Sequence, residues 1–388
     1  MGALTLTNLL PTFYKAMDVI SRERIGLIPA VSRDSTAERA ALGSFVNSPV
    51  VGAMPAEDLT PAAYAADTPA QTIGNVQMTI QKARSVPFGI TGEETLGLRN
   101  GGTLTGINLD RITQAIRTLS NEMESDLAAL QSQCSRAHGT ATGTPFATAG
   151  DLSDIAGVDK ILVDNGAPES DLHLVLASSH MSNLKGKQST LFQMNTAGTD
   201  DLLRRGIVGD LEGFQVGRSA QIETSVAGTG ASATTDNAGY AVGATVLTLA
   251  SAGTGTLLAG DIVTFAGDTN EYVLASGDAD VSGGGTITLV EPGLRVAMSA
   301  ATKAITVVAA TKRSMAFHRS AIQLATRAPA MPEGGDDADD LMLIPDPVSG
   351  IVYEFVVYRQ KRQVRYEVNA AWGVKMIAPR HTCLLIGA

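Results

Sequence analysis

The strongest periodic signal lies in the first half of the chain. Leu109, Ile112, Ile116, Leu119, Met123, Leu127, Leu130, Cys134 and Ala137 recur at steps of three or four, and Arg111, Arg117, Glu122, Glu124 and Gln131 fill the other face. That spacing predicts one amphipathic helix with a single apolar stripe. Asn108 is placed to cap its start, Asp110 to sit at the positive end of its dipole, and Gly139 to close it in a left-handed turn. Roughly thirty residues at ~1.5 Å each make a rod of about 45 Å, far longer than the usual globular helix. One stripe without strong flanking charge pairs suits packing on a sheet better than a coiled coil. Cys134 lies on the stripe, which marks it as a core thiol.

Ahead of this helix, residues 10–20 form a short amphipathic stretch and 32–39 a charged link, which together read as an arm rather than a domain core. Between 54 and 87, Pro55, Pro61, Pro69 and Pro87 surround one strand signal, in which Val76, Met78 and Ile80 alternate with Gln77, Thr79 and Gln81. A proline-bounded ribbon with one half-buried face fits a projecting loop or an ordinary edge hairpin.

After it, residues 151–165 predict a helix with Leu152, Ile155, Val158, Ile161 and Leu162 inward. Residues 172–177 are an almost unbroken apolar run, hence a buried strand. Ser178 or Ser179 is placed to cap a helix running from His180 through Leu184, and 211–219 reads as a turn and a strand. From 226 to 310 the chain turns Gly-, Ala- and Thr-rich, with β-prone runs at 245–249, 261–265, 271–274, 286–290 and 305–308. Short strands at close spacing predict a small barrel or sandwich. Composition returns to its earlier character after Lys312, so this unit reads as an insertion into a host domain. An acidic loop at 333–340, a strand at 351–358, the alternation of Val364, Tyr366 and Val368 with Arg365 and Glu367, and an apolar run at 382–386 complete the chain.

The 388 residues allow two or three packed domains. Charged residues are 18% of the chain and glycines number 40, a surface thin in charge that suits coverage by neighbours. Lys and Arg total 29 against 39 Asp and Glu, a net charge of -10. That balance disfavours general nucleic-acid binding, because phosphate affinity comes from cations that release counterions. With only Cys134 and Cys383, a disulfide-framed secreted scaffold is excluded. Aromatic residues are 4%, which argues against a sugar- or base-stacking surface. Residues 1–10 carry no basic region, and Pro11, Lys15 and Asp18 interrupt the stretch before an apolar core of signal-peptide length forms. No window of about 18 apolar residues predicts a membrane span. The expectation is a chain made and kept in cytosol-like conditions.

No catalytic pattern stands out. Lys185-Gly186-Lys187-Gln188-Ser189 lacks the leading glycine spacing of a phosphate loop. Gly253-Thr254-Gly255 precedes a β-run instead of opening a helix, which removes a dinucleotide fingerprint, and no G-x-S-x-G elbow occurs. His173 and His180 have no third ligand at zinc spacing, so hydrogen-bonded core histidines are the simpler reading. Asp336, Asp337, Asp339 and Asp340 offer oxygens to a hard cation but lack the glycine and distal Glu of a calcium loop. A solvated or intersubunit acidic loop is expected instead. Arg204-Arg205 and Lys312-Arg313 are basic pairs expected to face carboxylates of this chain or of a neighbour. The expectation is no enzyme, with no catalytic, cofactor-binding or metal residues.

The order of parts is arm, ribbon, long helix, α/β stretch with an inserted β-unit, then returning strands. Three stretches carry a likeness: LEGFQVGRS at 211–219, SMAFHRSAIQL at 314–324 and RYEVNAAWGV at 365–374, with GDIVTFAG at 260–267 inside the insertion. In these the chain resembles the major capsid proteins of tailed bacteriophages, the Hong Kong 97-type fold. More narrowly, it is similar to the Salmonella-podovirus coat protein family, which carries a small β-barrel in the axial domain. The resemblance implies an α+β fold with a long spine helix, an extended β-loop, an α/β axial domain and an inserted small β-barrel. It implies an arm at 1–50, an extended β-loop at 51–92, a peripheral domain with the spine at 93–145, an axial domain at 146–224, the barrel at 225–312, and axial and peripheral strands at 313–388.

The same resemblance implies a major capsid (coat) protein that self-assembles into pentamers and hexamers of an icosahedral phage head in the host cytoplasm. Double-stranded DNA would be enclosed without sequence-specific binding. A scaffolding protein and a portal would be partners, and the protein would belong to the virion, without a membrane or cofactors. Nothing here assigns the isopeptide crosslink of some relatives. An encapsulin-like compartment shares the fold, and residues 226–310 also suit a β-rich adhesive or carbohydrate-binding protein, although no secretion signal or aromatic platform accompanies them.

Overall fold

The computed structural model describes residues 11–17, 26–51, 73–100, 104–187, 209–347 and 349–388. Among them the apolar stripe folds into one helix, Leu104–Ala129, of 26 residues and about 39 Å. Ile112, Ala115, Ile116, Leu119, Met123 and Leu127 are buried along it. Its ends differ from expectation. The helix starts before Asn108, which is buried within it and caps nothing. After Ala129 the chain tightens into a 3₁₀ turn, Leu130–Gln133, and then extends as a strand, Arg136–Gly139. Residues 134 and 137 keep helical spacing by coincidence: a parallel ladder to the last strand of the chain, Cys383 opposite Arg136 through Ile386 opposite Gly139, overrides it. Gly139 is needed for close approach and not as a helix cap. At φ +129 a Cβ there would stand 2.3 Å from the Ile386 carbonyl oxygen.

The spine packs on a six-stranded sheet in the order Ser32–Ala40, Ile322–Pro329, Gln363–Met376, Val352–Gln360, Asp340–Pro345, with Lys82–Thr91 also joined to Gln363–Met376. The last-named long strand is the joint. One edge pairs with Lys82–Thr91 from Trp372 opposite Lys82 to Gln363 opposite Thr91. The other edge is shared end to end by Ile322–Pro329 and Val352–Gln360. Tyr353, Phe355, Val368, Trp372 and Val374 on these strands share one core cluster with the spine stripe.

An eleven-stranded sheet follows in the order Ile305–Val307, Ile262–Phe265, Glu271–Ser276, Arg136–Gly139, Thr382–Gly387, Lys312–His318, Leu172–Ala177, Phe214–Ser219, Asp210–Leu211, with Gly285–Leu289 and Val246–Leu249 continuing from Glu271–Ser276. Leu172–Ala177 is apolar throughout because both its faces are covered. Leu172, Leu174 and Leu176 cluster with residues of helices Ser153–Asp164 and Ser178–Lys187, and Val175 and Ala177 join the core around the spine. Ser178 and Ser179 open the second of these helices from within and are not caps ahead of it.

The strands of segment 226–310 form where the alternation places them. Val246–Leu249, Gly285–Leu289, Glu271–Ser276, Ile262–Phe265 and Ile305–Val307 pair in that sequence. Thr234 bridges Ala304 and Thr235 bridges Leu249, which closes the circuit. Leu247, Val263, Phe265, Leu274, Ile287 and Leu289 fill a separate core inside it. The segment is nonetheless continuous with the larger sheet, since Glu271 and Tyr272 pair with Ala137 and Arg136.

The described residues of the stretch read as an arm are largely folded home. Phe13, in a helical turn at 11–17, stacks on Phe355 with ring centroids 4.0 Å apart, and Leu27, Ile28 and Val31 enter the same core. Ser32–Ala40 is a parallel edge strand on Ile322–Pro329. Its charges hide it from a hydrophobic-pattern reading, but edge strands tolerate them. Arg327 holds Asp34 at 3.1 Å and Arg39 holds Glu354 at 2.7 Å. Residues 1–10 and 18–25 of that stretch lie outside the described residues. Among the described residues, the ribbon strands Phe45–Val51 and Ile73–Thr79 pair only with each other. Met78 and Ile80 at their root are buried with Ala40, Ala325 and Ala371. Residues 52–72, with Pro55, Pro61 and Pro69, lie outside the described residues.

Leu119→Ala removes a fully buried side chain from the stripe and is expected to cost about 2–5 kcal/mol. The readout is a lower denaturant midpoint at unchanged slope. A midpoint equal to that of the wild type would contradict the stripe as the shared core.

Candidate functional site

Three acidic residues on the spine hold the segments that reach outward. Glu122 and Asp126, one helical turn apart, share a side and grip the root of strand Lys82–Thr91. Arg84 Nε stands 3.3 Å from Glu122 Oε2, and Lys82 Nζ stands 2.6 Å from Asp126 Oδ1. The buried indole of Trp372 donates to Asp126 Oδ2 at 2.8 Å, which satisfies the one polar group of that ring.

Glu124, between them, faces the opposite side and is 3% exposed. Its Oε1 accepts the backbone N–H of Gly26 at 2.9 Å and of Leu27 at 2.7 Å, and its Oε2 accepts that of Ile28 at 3.0 Å. Burial pushes the Glu124 carboxyl above its ordinary value, against the backbone donors and the Ser219 hydroxyl, which pull it down. Gly26 can come this close only without a side chain, because a Cβ would meet the Arg218 carbonyl at 2.6 Å. One carboxylate therefore joins the N-terminal segment to the spine beside strand Phe214–Ser219.

A second cluster sits at the root of segment 226–310. Ser225 N–H donates to the Thr311 carbonyl at 2.8 Å, which zips the outgoing chain to the returning one. Arg313 is buried on Lys312–His318 and donates through Nη1 to the Gly260 carbonyl at 2.5 Å. Burial lowers its pKa, and the nearby Asp261 carboxylate opposes that. Asp261 is itself buried and accepts the N–H groups of Gly228 at 3.0 Å and Leu258 at 2.7 Å. Arg313 is thus held by a backbone carbonyl, with Asp261 nearby but no ion pair to it, and its Nε and Nη2 are buried without a partner among the described residues; Arg204-Arg205 lie outside the described residues. Close by, Glu271 shares a cleft of about 390 Å³ with His138, Asp154 and Thr269. Its Oε2 is buried without a partner, and burial moves its pKa from 4.5 to about 7.

The remaining sequence candidates are held apart. His173 Nε2 lies 3.2 Å from Arg319 Nη2, and His180 Nδ1 lies 2.7 Å from Ser314 Oγ, so the two rings serve different neighbours. Burial first, then nearby cations, lowers both to about 4. Cys134 and Cys383 are free and buried; burial pushes the Cys134 thiol up to about 12, which leaves it unreactive. In the acidic loop, Asp336 accepts from the Tyr358 hydroxyl and Asp339 pairs with Arg359 at 2.6 Å. Lys185-Gly186-Lys187 ends a helix, and Gln188-Ser189 lie outside the described residues. Among the described residues no group of three or more His, Cys, Asp or Glu could hold a metal ion, and no helix is long and apolar enough to cross a membrane.

Pattern reading alone does not find the functional role of Glu124. On the helical wheel it belongs with the polar face, and its partners lie 96 to 98 positions away. Asp261 and Glu271 are hidden in the same way, each in a short β-run whose packing against other strands is not a local property.

No family model matches the chain, and no curated protein matches it. Among solved structures it is similar to the capsid of cyanophage P-SCSP1u, at 12% identity and TM-score 0.46 over 92% of this chain and 86% of that one. A structure from Mycobacterium phage Che8 is similar at 14% identity and TM-score 0.43, over 88% and 84%. A virus-like particle from Pyrococcus furiosus is similar at 8% identity and TM-score 0.40, over 97% and 98%. At these identities and scores the likeness carries no functional argument, which must come from the chain's own residues.

Glu124→Gln keeps one accepting oxygen and turns an N–H₂ group toward a backbone N–H. It is expected to cost about 1–3 kcal/mol and to expose segment 26–31 to protease before the rest of the chain. Unchanged proteolysis would contradict the clasp. For Glu271, the folded chain keeps a proton that the unfolded chain releases between its ordinary 4.5 and about 7. Stability therefore falls as pH rises through that window. Glu271→Gln should flatten this fall in denaturant midpoints taken from about pH 5 to pH 8, and an unaltered slope would refute the assignment.

Proposed function

We propose that this chain is the major capsid protein of a tailed-phage type head, many copies of which close into pentamers and hexamers of an icosahedral shell around double-stranded DNA. The ribbon carries this reading. Its strands Phe45–Val51 and Ile73–Thr79 form a sheet of their own, and among its described side chains Phe45 is 64% exposed while Met78, with Ile80 just beyond the strand, is buried at the root. A lone two-stranded hairpin is marginally stable in water, and a surface supplied by another chain would complete it. A copy of the same chain is the partner always at hand. The sequence resemblance to tailed-phage coat proteins agrees with that choice.

The division of labour follows the segments read from the sequence: arm at 1–50, extended β-loop at 51–92, spine and peripheral part at 93–145, axial part at 146–224 and 313–388, and an inserted barrel at 225–312. The spine and its sheet form a rigid plate. Contacts between plates in a ring are heterologous and close by rotation. Each need only be modest, because a subunit held by several neighbours leaves slowly, and such contacts permit rigid-body rearrangement of the shell. The net charge of -10 suits enclosing DNA without trapping it. A separate scaffolding protein and a portal would complete the assembly, with the host cytoplasm as its place and the virion as its destination. The inserted barrel, tied to the eleven-stranded sheet through Arg313 and the Glu271 strand, would stiffen the axial part.

Purified full-length protein is expected to form rings or shells in negative-stain microscopy, and protein with residues 47–77 replaced by a short Gly-Ser turn is expected to fold but stay unassembled. Wild-type protein that remains monomeric at high concentration and moderate salt, or a ribbon-less variant that closes normal shells, would overturn the reading. Replacing 226–310 by a short linker removes the carbonyl partner of Arg313 and bares the edge of Arg136–Gly139. The expected result is a folded host of lower denaturant midpoint, and complete loss of soluble protein at every temperature would contradict the insertion.

A further inference from the structure

At the far end of the six-stranded sheet, the turn between Val352–Gln360 and Gln363–Met376 stands beside the helix Gly92–Asn100. Between them lies a cleft of about 770 Å³ whose walls include Arg359 at the strand end, Lys361 and Arg362 on the turn, and Gly92, Glu93 and Thr95 on the helix. Its volume is in the range of about 300–1,000 Å³ that holds a ligand or a short stretch of peptide. The turn is fixed: Gly92 N–H donates to the Arg362 carbonyl at 2.9 Å, and Arg362 itself adopts φ 58. The side chains of Lys361 and Arg362 are exposed and have no partner among the described residues.

The acidic loop 333–340 leads into strand Asp340–Pro345 of the same sheet. Asp339 reaches Arg359 at 2.6 Å, and Asp336 takes the Tyr358 hydroxyl. These two contacts place the loop next to the basic turn. Glu333 and Asp337 remain exposed with no side-chain partner among the described residues. One end of the plate thus presents two unpaired cations beside two unpaired anions. Loop and turn are already joined in cis by one ion pair, yet these four charges stay apart.

Resting on the shell reading, we propose that the cleft is a docking site for the acidic loop of a second copy of this chain, Glu333 and Asp337 of one copy facing Lys361 and Arg362 of the next. Charge complementarity selects the occupant. The cleft wall carries the unpaired cations Lys361 and Arg362, beside Arg359 already paired with Asp339, against the carboxylate of Glu93, and the loop carries acids at 333, 336, 337, 339 and 340 with no cation among them. The same two features on every copy make the contact self-repeating. Exposed pairs of this kind govern encounter and register more than bulk affinity, and salt weakens them within about 10 Å at 0.1 M.

The test uses full-length protein in three forms: the turn reversed (Lys361→Glu with Arg362→Glu), the loop reversed (Glu333→Lys with Asp337→Lys), and all four together. All four positions are on the surface, and equal denaturant midpoints establish that each variant folds. At low salt each two-site variant is expected to assemble about tenfold more slowly than wild type by light scattering, and the difference should shrink at high salt. The four-site variant, and an equimolar mixture of the two two-site variants, should recover the wild-type rate. Two-site variants that assemble like the wild type, or a four-site variant that stays slow, would overturn the contact while leaving the shell reading intact. A turn reversal that abolishes binding of a polyanion such as heparin but leaves assembly untouched would assign the cleft to nucleic acid and overturn it too. Wild type that never assembles would overturn the shell reading and this contact together.

Discussion

A charge buried in a protein must be compensated where it sits, and Glu124 is where this constraint shapes the fold. Its carboxylate lies among apolar residues of the spine region, where an uncompensated ion would cost several kcal/mol. Three consecutive backbone N–H groups, those of Gly26, Leu27 and Ile28, supply the compensation. The constraint acts in both directions. Those three N–H groups belong to no ladder, and without the carboxylate they too would be buried and unpaired. The turn at 26–31 and the carboxylate are thus each other's condition. Beyond that turn, strand Ser32–Ala40 is delivered to the edge of Ile322–Pro329 and the ribbon begins.

From this clasp outward the chain grows progressively less self-sufficient. The spine and its sheet share a continuous core, and the edge strand Ser32–Ala40 is held by a ladder and two ion pairs. The ribbon beyond it has a buried root, and Phe45 on it is exposed. Segment 226–310 has its own core and a closed pairing circuit but is fastened to the eleven-stranded sheet by Arg313 and the Glu271 strand. A rigid plate with one well-anchored appendage and one poorly covered one is the physical form expected of a building block in a lattice.

What was legible in the sequence was whatever depends on one-sided or two-sided burial. Leu172–Ala177 announces itself because both faces are covered, and the strands of 226–310 because turn residues punctuate them. The spine stripe is legible for the same reason, but its ends are not. Leu130, Cys134 and Ala137 continue the helical spacing while a ladder to Thr382–Gly387 draws the chain into a strand. Ser32–Ala40 and Lys82–Thr91 were hidden because edge strands carry charges, and a proline in the second case, without penalty. Glu124, Asp261 and Glu271 were hidden because their roles are set by residues remote in sequence. The N-terminal stretch was read as an arm rather than part of a core for want of that same non-local information. Its described residues are docked, which leaves the ribbon as the part on which assembly rests.

Amide hydrogen exchange compared between dilute, unassembled protein and assembled protein tests that argument most directly. The account predicts slow exchange along Gln363–Met376 in both states, with Phe45–Val51 and Ile73–Thr79 exchanging fast in the monomer and slowly only after assembly. Ribbon amides equally protected in the dilute monomer would mean that the hairpin is stable alone, and would contradict the claim that it is completed by another copy.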